Sequence, residues 1–210
     1  MTLRSIVVGQ FRRPHGLLGS LAGLVMARRP SNLERNAWTV GLMAAQPWHR
    51  ILEIGCGPGV ALEAAAAIVS GGQAVGIDHS ETMVRQARRR LAAQIASGSA
   101  VVRPGSLGEL AGQAAGYDRV FSVNVVQFLP DLEEAFEQIH GCLADQGIAA
   151  TTFQPRSRNP TRDEALDMAQ RIAMAMRQAG FSGIARHELT LDPAPAICVT
   201  GIRHHTNIAH

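Results

Sequence analysis

Two carboxylates and three glycines define the chemistry open to this chain. Glu53 stands two residues before Gly55, and Gly57 and Gly59 follow at alternate positions, giving E-x-G-x-G-x-G. Residues 51–54 (ILEI) read as a buried parallel strand, and residues 60–70 (VALEAAAAIVS) as an alanine-rich helix closed by Gly71 and Gly72. Strand, glycine turn and helix in that order turn backbone amides and a helix N-terminus toward a ligand, as in the opening unit of a nucleotide-binding α/β sheet. The spacing discriminates between ligands. A dinucleotide fingerprint, G-x-G-x-x-G, needs its third glycine at position 60 to cradle a pyrophosphate. Val60 occupies that position, and the third glycine comes one residue early. A second strand over 73–78 (QAVGID) ends in Asp78, where a carboxylate can accept from ribose hydroxyls.

These groups need a scaffold, and the pattern supplies one. Past Asp78, a helix is expected over 80–96, with Glu81 and Arg85 paired at i,i+4. Strands follow over 100–103, 117–123 and 147–153, and a helix over 131–143 carries Asp131, Glu133 and Glu134 at its positive end. Thr161 and Glu164 make a capping box for a helix running to Ala179. Two last strands, 184–191 and 196–203, read as a hairpin. Upstream, residues 16–28 read as a small-residue helix broken by Pro30. A second helix starts at Ser31, with Glu34 completing its capping box, and ends before Pro47. The length fits one α/β domain. It divides into an N-terminal helical segment over 1–47, an α/β domain over 48–203 and a flexible tail over 204–210.

The motif Glu53-x-Gly55-x-Gly57-x-Gly59 with Asp78 resembles motifs I and II of the class I S-adenosylmethionine-dependent methyltransferases. The resemblance extends over about residues 50–203. It includes Asp78-His79-Ser80-Glu81-Thr82-Met83 and the run from Asn124 to Pro130 (NVVQFLP). It implies a doubly wound, Rossmann-like, mostly parallel sheet of seven strands ending in an antiparallel hairpin, with N-terminal helices capping the cofactor site. The implied cofactor is S-adenosyl-L-methionine, with S-adenosyl-L-homocysteine as product. Glu53 would accept from its ammonium group. Gly55, Cys56, Gly57 and Gly59 would approach the methionine moiety and ribose through the backbone. Asp78 would hold the ribose hydroxyls, His79 would touch the cofactor edge, and Met83 would lie on the adenine. Where the family often places an acid for the adenine amino group, this chain has Ser106 and Leu107, so Ser106 or a backbone group must serve. Asn124 closes the cofactor-binding set.

Methyl transfer from a sulfonium is an in-line displacement, so positioning and desolvation supply most of the acceleration. A base is needed only for a protonated nucleophile. With no lysine in the chain, all twenty basic residues being arginine, the base candidates are few. Gln127, where the family often has histidine or tryptophan, and His15 are the catalytic candidates. Asn36, Gln127, Phe128, Phe153, Gln154 and Arg156 are the candidates for lining the acceptor pocket.

Several acceptors are excluded by missing residues. Asn124–Gln127 lacks the Asn/Asp-Pro-Pro-Tyr/Phe signature of nucleic-acid amino methylases. No lysine exists for a ribose 2′-oxygen tetrad, and none of the cysteines follows a proline. No nucleic-acid partner is expected, because stacking aromatics do not interleave with the arginines. No metal is expected either, since His204 and His205 are too few. A small organic acceptor with an N or O nucleophile remains. The alternatives are a lipid-headgroup or peptide-amine acceptor, or a non-methylating member of the fold.

The net charge of +3 conceals an asymmetry. Residues 1–50 carry seven arginines against the one acid Glu34. Such a segment could draw in an anionic substrate or a membrane surface, or simply present a solvated face. Cys56, Cys142 and Cys198 are scattered, as expected for reduced thiols in the cytoplasm. The apolar run over 16–27 falls short of the roughly 20 residues a bilayer span requires. A monomer or homodimer is expected.

Overall fold

The computed structural model of the protein describes residues 30–110 and 116–204. The helix expected over 16–28, His15 and the tail beyond His204 lie outside the described residues. The elements run α1 (Pro30–Leu42), β1 (Arg50–Ile54), α2 (Val60–Ile68), β2 (Gln73–Asp78), α3 (Glu81–Arg90), α4 (Ala92–Ala96) and β3 (Ala100–Pro104). After them come β4 (Tyr117–Val123), α5 (Leu132–Cys142), β5 (Leu143–Phe153), α6 (Arg162–Gln178), β6 (Ser182–Leu189) and β7 (Ala196–Ile202).

All seven strands join one sheet in the order β3-β2-β1-β4-β5-β7-β6. The first five are parallel, and β7 enters antiparallel between β5 and β6. The chain winds outward from β1 to β3, then returns to lay β4 on the other side of β1. That reversal makes the carboxyl ends of β1 and β4 the switch point at which open α/β sheets bind ligands.

Strand alternation sorts side chains to two faces. Leu52, Ile54, Val120, Ala149 and Phe153 enter one apolar core with Phe136, Ile172 and Met176 of α5 and α6. Ile51, Phe121, Ala150 and Cys198 enter the other, beneath Val40 and Met43 of α1 and Leu62 and Ala65 of α2. By the same alternation Glu53, Thr152 and Gln154 share the α1–α2 side. There the Thr39 and Thr152 hydroxyls lie 2.7 Å apart, a buried polar contact between α1 and β5.

Local signals explain most boundaries. Thr161 caps α6 by accepting from Glu164 N–H at 3.1 Å. Asp131 caps α5 by accepting from Glu133 and Glu134. Three boundaries differ from expectation. Ser31 is not an N-cap, because α1 already includes Pro30; proline suits a first helical position, having its φ preset and no N–H to lose. The helix expected over 80–96 breaks at Leu91, where ψ is 21°. Beyond Leu91 no residue of α4 is buried, so no packing enforces a continuous axis. Finally, β5 begins at Leu143 rather than Gly147, because an irregularity between Tyr117 and Arg119 lets Leu143 pair ahead of the regular register.

Candidate active site

The glycine turn links the end of β1 to the start of α2. Gly55, Gly57 and Gly59 have φ of 65°, 51° and 81°, a region that costs other residues about 1–2 kcal/mol each. Space separates their roles. A Cβ on Gly55 would meet Val125 Cγ2 at 2.5 Å, and one on Gly59 would meet Leu91 Cδ1 at 2.7 Å. A Cβ on Gly57 would have nothing within 4 Å. The outer glycines therefore serve the protein's own packing, while the middle one leaves an approach to the backbone clear. The Gly57 N–H donates to Asp78 Oδ2 at 2.9 Å, and Ser80 N–H to Asp78 Oδ1 at 2.8 Å. Asp78, itself buried, thus ties the turn to the end of β2.

Glu53 is 3 % exposed. Gly59, the N-cap of α2, has no side chain for the cap, and Glu53 accepts from the Leu62 backbone instead. Its Oε2 has no partner among the described residues. Burial first, and the Asp78 charge second, push the Glu53 carboxyl well above its ordinary 4.5. The same burial, with Glu53 and Asp78 adding to it, pushes the Cys56 thiol up, which keeps it an unreactive thiol. The His79 ring, 53 % exposed, has Nδ1 3.8 Å from Asp78 Oδ1. Met83 is buried on α3. Gly105 N–H donates to the Asp78 carbonyl at 3.1 Å, which brings the end of β3 alongside. There Leu107 is buried, while Ser106 is exposed and its N–H donates to Glu109 Oε2 at 3.1 Å. Glu109, two residues past Leu107, thus ties the loop after β3 together.

A second network closes the ends of β4 and β5. Asn124 has φ of 55°, a conformation asparagine tolerates better than most residues. Its N–H donates to Thr152 O, its Oδ1 accepts from Gln154 N–H, and its carbonyl accepts from Gln127 Nε2, each at 2.8 Å. Gln127 Oε1 is buried without a partner. Phe128 beside it is 45 % exposed. Phe153 turns the other way, into the core under α5 and α6. Gln154 Nε2 donates to Ala194 O at 2.9 Å, and its Oε1 accepts from the Arg35 guanidinium. Arg35 also donates to Asn32 Oδ1, and Asn36 lies buried next to it on α1. Arg35 is 2 % exposed. Burial, with exposed Arg156 close by, lowers its guanidinium to about 9, still a cation at neutral pH.

Among the described residues, four buried side-chain polar atoms lack a hydrogen-bond partner: Arg35 Nε, Glu53 Oε2, Gln127 Oε1 and His140 Nε2. Two of them, on Glu53 and Gln127, lie at the carboxyl ends of β1 and β4, and Arg35 of α1 reaches the end of β5 through Gln154. Native proteins satisfy about nine in ten such groups with protein or water, so these atoms are open to polar partners from outside the chain. No group of three or more His, Cys, Asp or Glu side chains among the described residues is arranged for a metal ion.

A mostly parallel α/β sheet with a glycine turn at its switch point and acids on neighbouring strand ends defines a Rossmann-like fold. A family described as "Methyltransferase domain" matches residues 52–149. YdaC, an uncharacterized methyltransferase of Bacillus subtilis, is 29% identical over 180 residues, covering 86% of this chain and 96% of the relative. The trans-aconitate 2-methyltransferase of Variovorax paradoxus is 29% identical over 112 residues, 53% of this chain and 41% of that enzyme. The solved SAM dependent methyltransferase of Aquifex aeolicus has the same fold, with a TM-score of 0.65 over 83% of this chain and 93% of that one at 16% identity. Residues 52–149 thus carry a methyltransferase domain, and the curated relatives named here that overlap it are methyltransferases.

Proposed function

We propose that the chain binds S-adenosyl-L-methionine across the carboxyl ends of β1 and β2 and methylates a small organic acceptor through nitrogen or oxygen. The observation that carries the cofactor assignment is the unpartnered Glu53 Oε2 beside the open backbone of Gly57. The residues fit the group: a buried carboxylate oxygen lacking a donor suits an ammonium, and a glycine without neighbours suits close backbone approach. When bound, S-adenosylmethionine supplies an electrophilic methyl carbon on a sulfonium. Everything else falls to this chain. Glu53 holds the ammonium, and Asp78 keeps the turn in shape while its remaining lone pairs accept from the ribose. His79, Met83, Ser106 and Leu107 border the nucleoside, with Cys56 and Asn124 completing that wall.

On the acceptor side, Gln127 Oε1 receives an N–H or O–H of the nucleophile and aims its lone pair. An amide is too weak a base to take that proton, so the nucleophile it serves best is one that attacks unassisted while still bearing a hydrogen, such as a neutral amine. Phe128, Asn36, Gln154 and Arg156 line the acceptor's approach. Phe153, directed into the core, supports that wall from behind. Residues 1–47 are the proposed lid on the domain spanning 48–203, and the bond from Arg35 of α1 to Gln154 supports that placement for α1. The trans-aconitate relative supports a small-molecule acceptor.

Calorimetry tests the cofactor. Tight S-adenosylhomocysteine binding with no NAD binding is expected, and preference for NAD refutes the proposal. Gln127→Ala should lower turnover with little change in cofactor affinity; unchanged turnover and acceptor affinity would remove Gln127 from the mechanism.

A further inference from the structure

We propose that Arg35 is the receptor for a carboxylate on the methyl acceptor, so that the enzyme's acceptors are small organic acids. The inference rests on the methyltransferase assignment above and deepens it. It starts from a missing counterion. All seventeen Asp and Glu residues fall within the described segments, and none forms an ion pair with Arg35. The guanidinium is 2 % exposed, yet its partners are the neutral amide oxygens of Gln154 and Asn32. Two of its five N–H donors are engaged in this way. The Nε–H and one hydrogen on each terminal nitrogen remain, and Nε is without a partner. A side-on fork of this kind matches the two oxygens of a carboxylate.

Arg156 sharpens the case. A second cation stands close enough to Arg35 to depress its proton affinity, and a carboxylate bound at Arg35 would offset that repulsion. A purely structural role is a poor explanation, because the Thr39–Thr152 hydroxyl pair already joins α1 to β5. A neutral side chain could bond Gln154 equally well. Location completes the argument. Arg35 reaches Asn124 and Gln127 through Gln154, so an anion there leaves the rest of the acceptor at the end of β4.

The test uses the full chain and two readouts, thermal unfolding and calorimetry. Acetate, succinate and citrate are compared with their neutral amides and with inorganic phosphate at matched ionic strength, with and without S-adenosylhomocysteine. At least one carboxylate should raise Tm by several degrees while its amide does not. Arg35→Met should abolish that shift and leave S-adenosylhomocysteine affinity within about twofold. Its own Tm sets the baseline for these shifts, because the loss of a buried charge is opposed by two amide oxygens left without their donor. Exposed Arg156→Gln, which leaves folding intact, should weaken carboxylate binding about fivefold to tenfold. Equal protection by the amides, no protection by any acid, or protection by phosphate alone overturns the proposal. So does an Arg35→Met variant that binds S-adenosylhomocysteine about tenfold more weakly, because the guanidinium would then serve the cofactor's own carboxylate. Failure of wild-type protein to bind S-adenosylhomocysteine would refute the methyltransferase assignment separately, and the carboxylate arm without nucleoside would still report on Arg35.

Discussion

Replacing Gly57 by alanine separates a residue kept for the ligand from one kept for the fold. Gly57 has φ of 51° and open space where a Cβ would stand; Gly98, in the turn before β3, has φ of 80° and the same open space. Both alanine variants therefore incur the left-handed backbone penalty and little else, about 1–2 kcal/mol. For a chain of this length that lowers Tm by roughly 2–8 °C. Gly55→Ala adds a 2.5 Å encounter with Val125, which raises the cost by about 1–3 kcal/mol more. Binding should follow a different order. The methyl group of Gly57→Ala projects into the space the cofactor needs, and an overlap costing about 1–3 kcal/mol weakens binding roughly 5- to 150-fold. Gly98→Ala should bind as wild type does. Differential scanning calorimetry gives the first quantity and titration with S-adenosylhomocysteine the second. If Gly57→Ala binds normally, or Gly98→Ala loses as much affinity, the turn is not the cofactor's cradle.

Three further perturbations probe the same edge and the scaffold. Glu53→Gln removes the ammonium acceptor, a charged hydrogen bond of about 1.5–3 kcal/mol, and should weaken S-adenosylmethionine binding roughly 10- to 150-fold by titration. The wild-type carboxyl, raised above 4.5 by burial and Asp78, keeps its proton in the folded state after the unfolded chain has lost it. Stability from this group is therefore full below about 4.5 and declines as pH rises through the raised value. The stability of Glu53→Gln relative to wild type should accordingly increase from pH 5 to pH 8 in urea titrations; a constant or falling difference refutes the shift. Asp78→Ala strips the acceptor from Gly57 and Ser80 N–H and should cost about 1–3 kcal/mol for each group left unsatisfied, measurable in the same titrations. Thr161→Ala, which removes the cap of α6, should cost about 0.5–2 kcal/mol and leave cofactor affinity untouched.

The readable parts of the sequence were those in which local chemistry and tertiary packing agree. Short apolar runs ending in Glu53 and Asp78 could only be buried strands with their acids at the carboxyl edge, and Thr161 with Glu164 held as a cap. The same signature at Ser31 and Glu34 misled, because Pro30 is itself a good opening residue. The break at Leu91 has no proline or glycine to announce it. Arg35 was hidden among the seven N-terminal arginines, since composition does not tell a solvated cation from an enclosed one. A signal was nonetheless present. Asn32, Arg35, Asn36, Thr39 and Met43 recur at helical spacing, and a stripe that mixes polar groups with a large apolar one belongs to a helix turned inward. The inward turn is confirmed by burial at positions 35, 36, 39 and 43.

The order of unpartnered atoms along the edge adds a constraint that no single residue provides. The strands run β1, β4, β5, and at their ends stand a carboxyl acceptor at Glu53, an amide acceptor at Gln127 and, from α1 through Gln154, a cationic donor at Arg35. β4 stands between β1 and β5, so two interstrand spacings of about 4.8 Å each separate the end of β1 from the end of β5. One ligand end must be cationic over β1 and the other anionic near β5, with a hydrogen-bond donor between them over β4. An ammonium-bearing cofactor and an acid-bearing acceptor meet that requirement together, and their junction falls at Gln127. Exchanging the outer charges, with Glu53→Gln and Arg35→Met in one chain, should then lose both affinities in an approximately additive way, since sites this far apart without shared partners couple weakly. A strongly non-additive loss would mean that one ligand spans both ends.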